Sequence, residues 1–97
     1  MCDMPLNRIH IEIEPYRMRR LVLRQEMQDG ATLQDLLNEL MPTYKEAIEI
    51  AFDSKEQRLT GAVAVTVNGR LIQTLEGMDT RIRDGDVIAL IPILADG

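Results

Sequence analysis

Few side chains in this sequence have the chemistry of a catalyst. There is one histidine, His10, and one cysteine, Cys2. A general base needs a positioned partner and a pocket. His10 instead stands with Arg8 and Glu12 on the polar side of an alternating segment, and it reads as a surface residue. Cys2 follows the first methionine in a stretch with no periodic pattern, and a reactive thiolate needs a helix N-terminus or fixed cations beside it. One cysteine and one histidine are also too few for a transition-metal site of the usual N/S type, so no metal is expected. Asp84 and Asp86 flank Gly85, where turn formation explains the acids better than acid–base catalysis does. Neither a G-x-x-x-x-G-K-S/T loop nor a G-x-G-x-x-G run occurs.

What remains is a carboxylate. Gly97 follows an apolar strand, Pro92 and a short tail. A narrow carboxylate on an extended tail can be presented into another protein's active site, and the six residues from Pro92 to Gly97 reach about 20 Å at ~3.3 Å each. On these residues alone an ordinary frayed terminus is the simpler reading.

The elements that would carry such a tail follow from periodicity. Ile9, Ile11 and Ile13 alternate with polar residues, as do Leu21, Leu23 and onward to Met27. A period of two marks strands with one buried face, and the short connection makes them an antiparallel hairpin. Asp29-Gly30 reads as a turn. Thr32 is an N-cap with Asp35 in the capping-box position, and Leu33, Leu36, Leu37, Leu40 and Met41 follow at helical spacing. Pro42 interrupts the stripe, so a helix over 32–41 and a second short helix over 43–52 are expected. Residues 53–61 read as a charged loop. Val63, Val65 and Val67 form a third strand, Asn68-Gly69 a tight turn into Arg70-Leu71-Ile72, and Val87 to Ile91, apolar on both faces, a central strand that Pro92 ends.

The expected fold is therefore α+β: a mixed sheet of about five strands with helices packed on one face, the β-grasp or ubiquitin-like arrangement. It forms a single domain over residues 1–97, with 93–97 as a tail. The size, 97 residues and 11.0 kDa, allows one core and excludes a cleft walled by two domains. The net charge of −5 opposes nucleic-acid backbones and anionic lipid. The 3% of aromatic residues is too few for base-stacking platforms. Arg17, Arg19, Arg20 and Arg24 form a local basic cluster that reads as charge shielding an edge strand from self-pairing. Met27 and Met41 read as core fillers. The single cysteine cannot form an intramolecular disulfide, which points to a reducing compartment or to indifference to redox, and with no secretory pattern at the start a cytoplasmic location is expected.

The second half resembles a known family. Val67-Asn68-Gly69-Arg70, Leu75-Glu76-Gly77-Met78-Asp79-Thr80 and Asp84-Gly85-Asp86-Val87-Ile88-Ala89-Leu90-Ile91-Pro92 resemble the MoaD/ThiS-type ubiquitin-like sulfur carriers, above all the small subunit of molybdopterin synthase. Residues 28–37 are similar to that family's turn and helix start. The resemblance implies a carrier and not an enzyme. It implies that an E1-like adenylyltransferase uses ATP to adenylate Gly97, which is then converted to a thiocarboxylate. The sulfur would pass to a precursor on the large synthase subunit or another sulfur-accepting enzyme, for molybdenum or tungsten cofactor synthesis. No cofactor would be bound by the carrier itself. Docking would fall to Leu71, Val87, Ala89 and Ile91, with Pro92, Leu94 and Asp96 leading to the reacting end.

One residue departs from the pattern. The family ends in Gly-Gly, and here Asp96 precedes Gly97. Its charge opposes a site built for ATP phosphates by ~1 kcal/mol for unit charges ~5 Å apart in water. On this account an interaction module that kept the fold and lost carrier chemistry stays open, and a ubiquitin-like modifier of lysines stays open because it begins with the same adenylation.

Overall fold

The computed structural model describes residues 6–14 and 20–93. Cys2, Arg17, Arg19, Leu94, Asp96 and Gly97 lie outside that set. Strand β1 (Leu6–Ile13) and strand β2 (Leu21–Gln28) pair antiparallel, from Leu6 opposite Gln28 to Ile13 opposite Leu21. Strand β7 (Val87–Pro92) lies parallel to β1 on its other side. Beyond it come β5 (Val63–Val67) and β6 (Arg70–Leu71), each antiparallel to its neighbour. The sheet order is β2-β1-β7-β5-β6, so the apolar strand expected at the centre is there. The mixed five-stranded sheet with its helix on one face is the β-grasp arrangement.

Helix α1 (Leu33–Ile48) crosses the inner face of the sheet. Thr32 Oγ1 accepts from the Asp35 amide at 3.2 Å, and the Asp35 carboxylate accepts from the Thr32 amide at 3.0 Å. This capping box satisfies two amides that the first turn leaves without partners. Leu33, Leu36, Leu37 and Leu40 are buried against Ile9, Ile11, Val65, Ile88 and Leu90 in one apolar core.

Two expectations need correction. The two helical segments are there, but they meet at Tyr44 and not at Pro42, and the second ends at Ile48 and not at Phe52. The chain stays helical through Pro42, kinks at Tyr44 (φ −120°, ψ 41°), and is helical again to Ile48. Pro42 has no amide to give the carbonyl four residues back. Pro42 and Asn38 are both exposed, so water can reach that carbonyl. The apolar stripe resumes after the break, and Tyr44, Ala47 and Ile48 pack on the core with Leu40. Nor is 53–61 a plain loop. Strand β3 (Phe52–Asp53) pairs antiparallel with β4 (Arg58–Leu59) in a small ribbon. Gln57, at φ 55°, turns this ribbon and bonds Asn38 on α1.

Phe52, expected to end a helix, instead leads the ribbon with its ring fully buried. Phe52→Ala is expected to cost about 3–5 kcal/mol, because a cavity adds to the lost transfer energy. Urea unfolding checks this: the midpoint should fall with no change in slope.

Candidate functional site

Paired residues in a sheet point to the same side, so the ladder shows what the outer face carries. Ile9, Ile11, Ile88 and Leu90 point inward to α1. On the outer face, Leu71 pairs with Thr66, Thr66 with Ala89, and Ala64 with Ile91. Val87 pairs with His10 and Ala89 with Glu12. The outer face is thus divided. Strands β1 and β2 carry Arg8, His10, Glu12, Arg24 and Glu26, with Leu6 and Val22 exposed towards opposite ends. Strands β7, β5 and β6 carry Val87, Ala89, Ile91, Ala64, Thr66 and Leu71.

Leu71 and Ile91 are 47% and 42% exposed, while Val87 and Ala89 are half-buried between neighbouring strands. The sequence reading named these four for docking, and the fold brings them onto one surface. It did not single out Ala64, Thr66 or Ile93. Ala64 and Thr66 join the patch through strand order, which alternation within one strand does not report. Pro92 lies elsewhere. It pairs with Val63 and shares the inner parity of Ile88 and Leu90. It borders a small apolar cavity of about 70 Å³, lined also by Ile13, Leu21, Ala47 and Ile50.

The acids and turn residues around β7 hold this face in register. Asn68 and Gly69 both have positive φ, 53° and 85°, as a tight hairpin turn between right-twisted strands requires. Asn68 Oδ1 accepts from the Val87 amide at 2.9 Å, and the Asn68 amide donates to the Val87 carbonyl at 2.8 Å. Asp86 accepts from Asn68 Nδ2 at 3.0 Å and from the Arg83 amide at 2.8 Å. Asp84 accepts from the Arg8 amide at 2.7 Å. These carboxylates tie the start of β7 to β1 and to the β5–β6 turn, as the turn reading expects.

At the other end of β7, the Ile93 amide donates to the Ala62 carbonyl at 3.0 Å, and its side chain is 53% exposed. The patch therefore runs along the strand towards the residues that follow it. His10 meets only Glu12, with Nε2 to Oε2 at 3.1 Å on the surface of the sheet. No described nucleophile stands beside it. No helix of the described residues is long and apolar enough to cross a membrane.

An outer apolar face on a β-grasp sheet, leading into a tail, has relatives. The family model described as the ThiS family matches residues 16–97. This chain belongs to the ThiS family. A protein of Archaeoglobus fulgidus named as a sulfur carrier is 33% identical over 43 residues. That match takes in 44% of this chain and 49% of the relative, so it spans about half the relative's length.

Among solved structures, SAMP1 of Haloferax volcanii, the small archaeal modifier protein 1, superposes with a TM-score of 0.73. It is 18% identical, and the match covers 94% of this chain and all of that one. A Pyrococcus furiosus protein named as molybdopterin converting factor subunit 1 gives a TM-score of 0.63 at 22% identity, covering 89% of this chain and 97% of the other. At these identities the structures establish the ubiquitin-like fold.

Proposed function

We propose that this protein carries sulfur as a thiocarboxylate on Gly97 for cytoplasmic synthesis of molybdopterin, the ligand of molybdenum and tungsten cofactors. The observation that carries the reading is the apolar patch of Leu71, Val87, Ala89 and Ile91, continuous along β7 with the segment that leads to Gly97. Monomeric surfaces seldom keep such a patch without a use.

The carrier chemistry divides between proteins. An E1-like adenylyltransferase docks on the patch and receives the Gly97 carboxylate. One carboxylate oxygen attacks the α-phosphorus of ATP, pyrophosphate leaves, and an acyl-adenylate forms. A sulfide-level nucleophile then attacks the carbonyl carbon and AMP leaves, giving the thiocarboxylate. The large synthase subunit docks on the same face and takes the sulfur into its bound precursor. This chain supplies the docking face, the reach of the tail and the reacting carbonyl. The pathway assignment rests on the sequence resemblance of 67–92 and on the printed name of the Pyrococcus protein.

A second reading keeps one specific observation, Asp96. If its charge blocks adenylation, the domain binds partners through the same face without loading. Intact mass of the protein from its native cell separates the two. A species in which one oxygen is exchanged for one sulfur, mapped to the peptide ending at Gly97, is expected. An unmodified mass, where a control carrier is loaded, overturns sulfur carriage.

A further inference from the structure

Strand β2 is an open edge. Among the described residues no strand pairs with its outer side. Edge strands are usually blunted by proline, by bulges, by being short, by charged side chains or by a covering helix or loop. The eight residues of β2 contain no proline or glycine, and its pairing with β1 is continuous from end to end. Its charges are not of one sign. Arg24 and Glu26 are exposed on the outer face, with Arg20 before the strand and Asp29 after it. The acidic end borders an open depression of about 790 Å³ that also carries Asp35 and Glu39.

Such an edge has a basic end and an acidic end, and antiparallel pairing with a second copy lays each on the other. We infer that β2 is a self-association edge, on which two copies of this chain pair about a two-fold axis through Gln25. In that register Arg24 faces Glu26 of the second copy and Glu26 faces its Arg24. On the inner face Leu23 meets Met27. Arg20 falls opposite Gly30, beside the acidic depression. Shifting the register by two residues in either direction sets Arg24 against Arg24 or Glu26 against Glu26, and like charges directly opposite are unfavourable. Among registers that keep most of β2 paired, the charge pattern therefore favours this one.

The result is a continuous ten-stranded sheet with both copies of α1 on one side. Both apolar patches lie on the other side. They begin at β7, two strands in from the axis, about 10 Å from β2 at ~4.8 Å per strand. The paired edge leaves them uncovered, so a dimer would present two tails and two docking faces at once. Arg20 and Arg24, read from sequence within a cluster that shields against self-pairing, become half of a complementary pair.

Sedimentation of the full chain over a range from micromolar to millimolar tests this. The weight-average mass is expected to rise from one chain towards two, and less so in high salt, which screens exposed charges. Arg24→Glu alone and Glu26→Arg alone each replace two attractive contacts by two repulsive ones. Each should raise the dimer dissociation constant about tenfold or more. The double swap, Arg24→Glu with Glu26→Arg, restores the pairing and should return the constant to within about twofold of the original. A mass of one chain at every concentration overturns the inference. So does a dimer indifferent to both single changes, or one that the double swap fails to restore. Glu26 also pairs with Arg8 of its own chain at 3.8 Å, so thermal unfolding of each variant is read beside its mass, and Arg8→Glu added to the double swap restores that pair as well; carrier loading is a separate readout.

Discussion

Gly97→Ala is expected to abolish thiocarboxylate loading or slow it by about 100-fold or more. The methyl group lands on the carbon next to the reacting carbonyl. In the proposed mechanism that carbonyl must reach the α-phosphate of ATP held by the partner enzyme. Misplacing a reacting atom by about 1 Å costs on the order of 100-fold. Glycine also keeps backbone conformations that alanine lacks. The change lies beyond β7, which ends at Pro92, so thermal unfolding should be unaltered. Pyrophosphate exchange by the cognate activating enzyme, with the intact mass of the product, checks it. Loading equal to that of the natural sequence would remove Gly97 from the role given to it. Asp96→Gly in the same assay should move the other way. Removing a charge worth ~1 kcal/mol at ~5 Å raises adenylation by about fivefold. If Asp96→Gly is needed for any loading at all, the domain with its own sequence is a binding module.

The architecture was legible where one local signal sufficed. The alternation of Ile9, Ile11 and Ile13 placed β1, the Thr32–Asp35 pair placed the start of α1, and Asn68-Gly69 placed the β5–β6 turn. That the helical stripe breaks was legible, but not where: proline looks like an end, and the kink falls two residues on, at Tyr44. What carries the helix past Pro42 is tertiary: Tyr44, Ala47 and Ile48 gain more from the core than the chain loses in one backbone bond. The β3–β4 ribbon was hidden for another reason. Two-residue strands have no period to read, and the Gln57 turn holding them leans on Asn38, far away in sequence. The docking face was half legible. Alternation separates Val87, Ala89 and Ile91 from Ile88 and Leu90, but only the order β1-β7-β5-β6 shows that Ala64, Thr66 and Leu71 continue the surface. Pro92, grouped with them by proximity in sequence, turns to the inner side for the same reason of parity.

Ile91→Glu is expected to leave the fold intact and to weaken docking on the activating enzyme by about 100-fold or more. Ile91 is 42% exposed, and substitutions at such surface positions usually shift stability by no more than about 0.5 kcal/mol. In the complex the same position would be covered by an apolar partner surface. A carboxylate buried there without a partner loses its hydration and gains nothing in return, a penalty of at least ~3 kcal/mol. Every ~1.4 kcal/mol is tenfold in Kd. Leu6→Glu is the matched control. Leu6 is 51% exposed on the same face of the sheet, but on β1 beyond the stretch that β7 pairs with, since that pairing begins at His10. It should leave the Kd unchanged. Titration calorimetry with the activating enzyme, alongside thermal unfolding of each variant, reads both quantities. Equal loss in the two variants would mean that added negative charge anywhere on the face repels the partner, and the apolar patch would lose its claim. Loss confined to Ile91→Glu ties docking to the strand that runs into the tail. The enzyme would then grip the chain by the residues that also set where the carboxylate can reach.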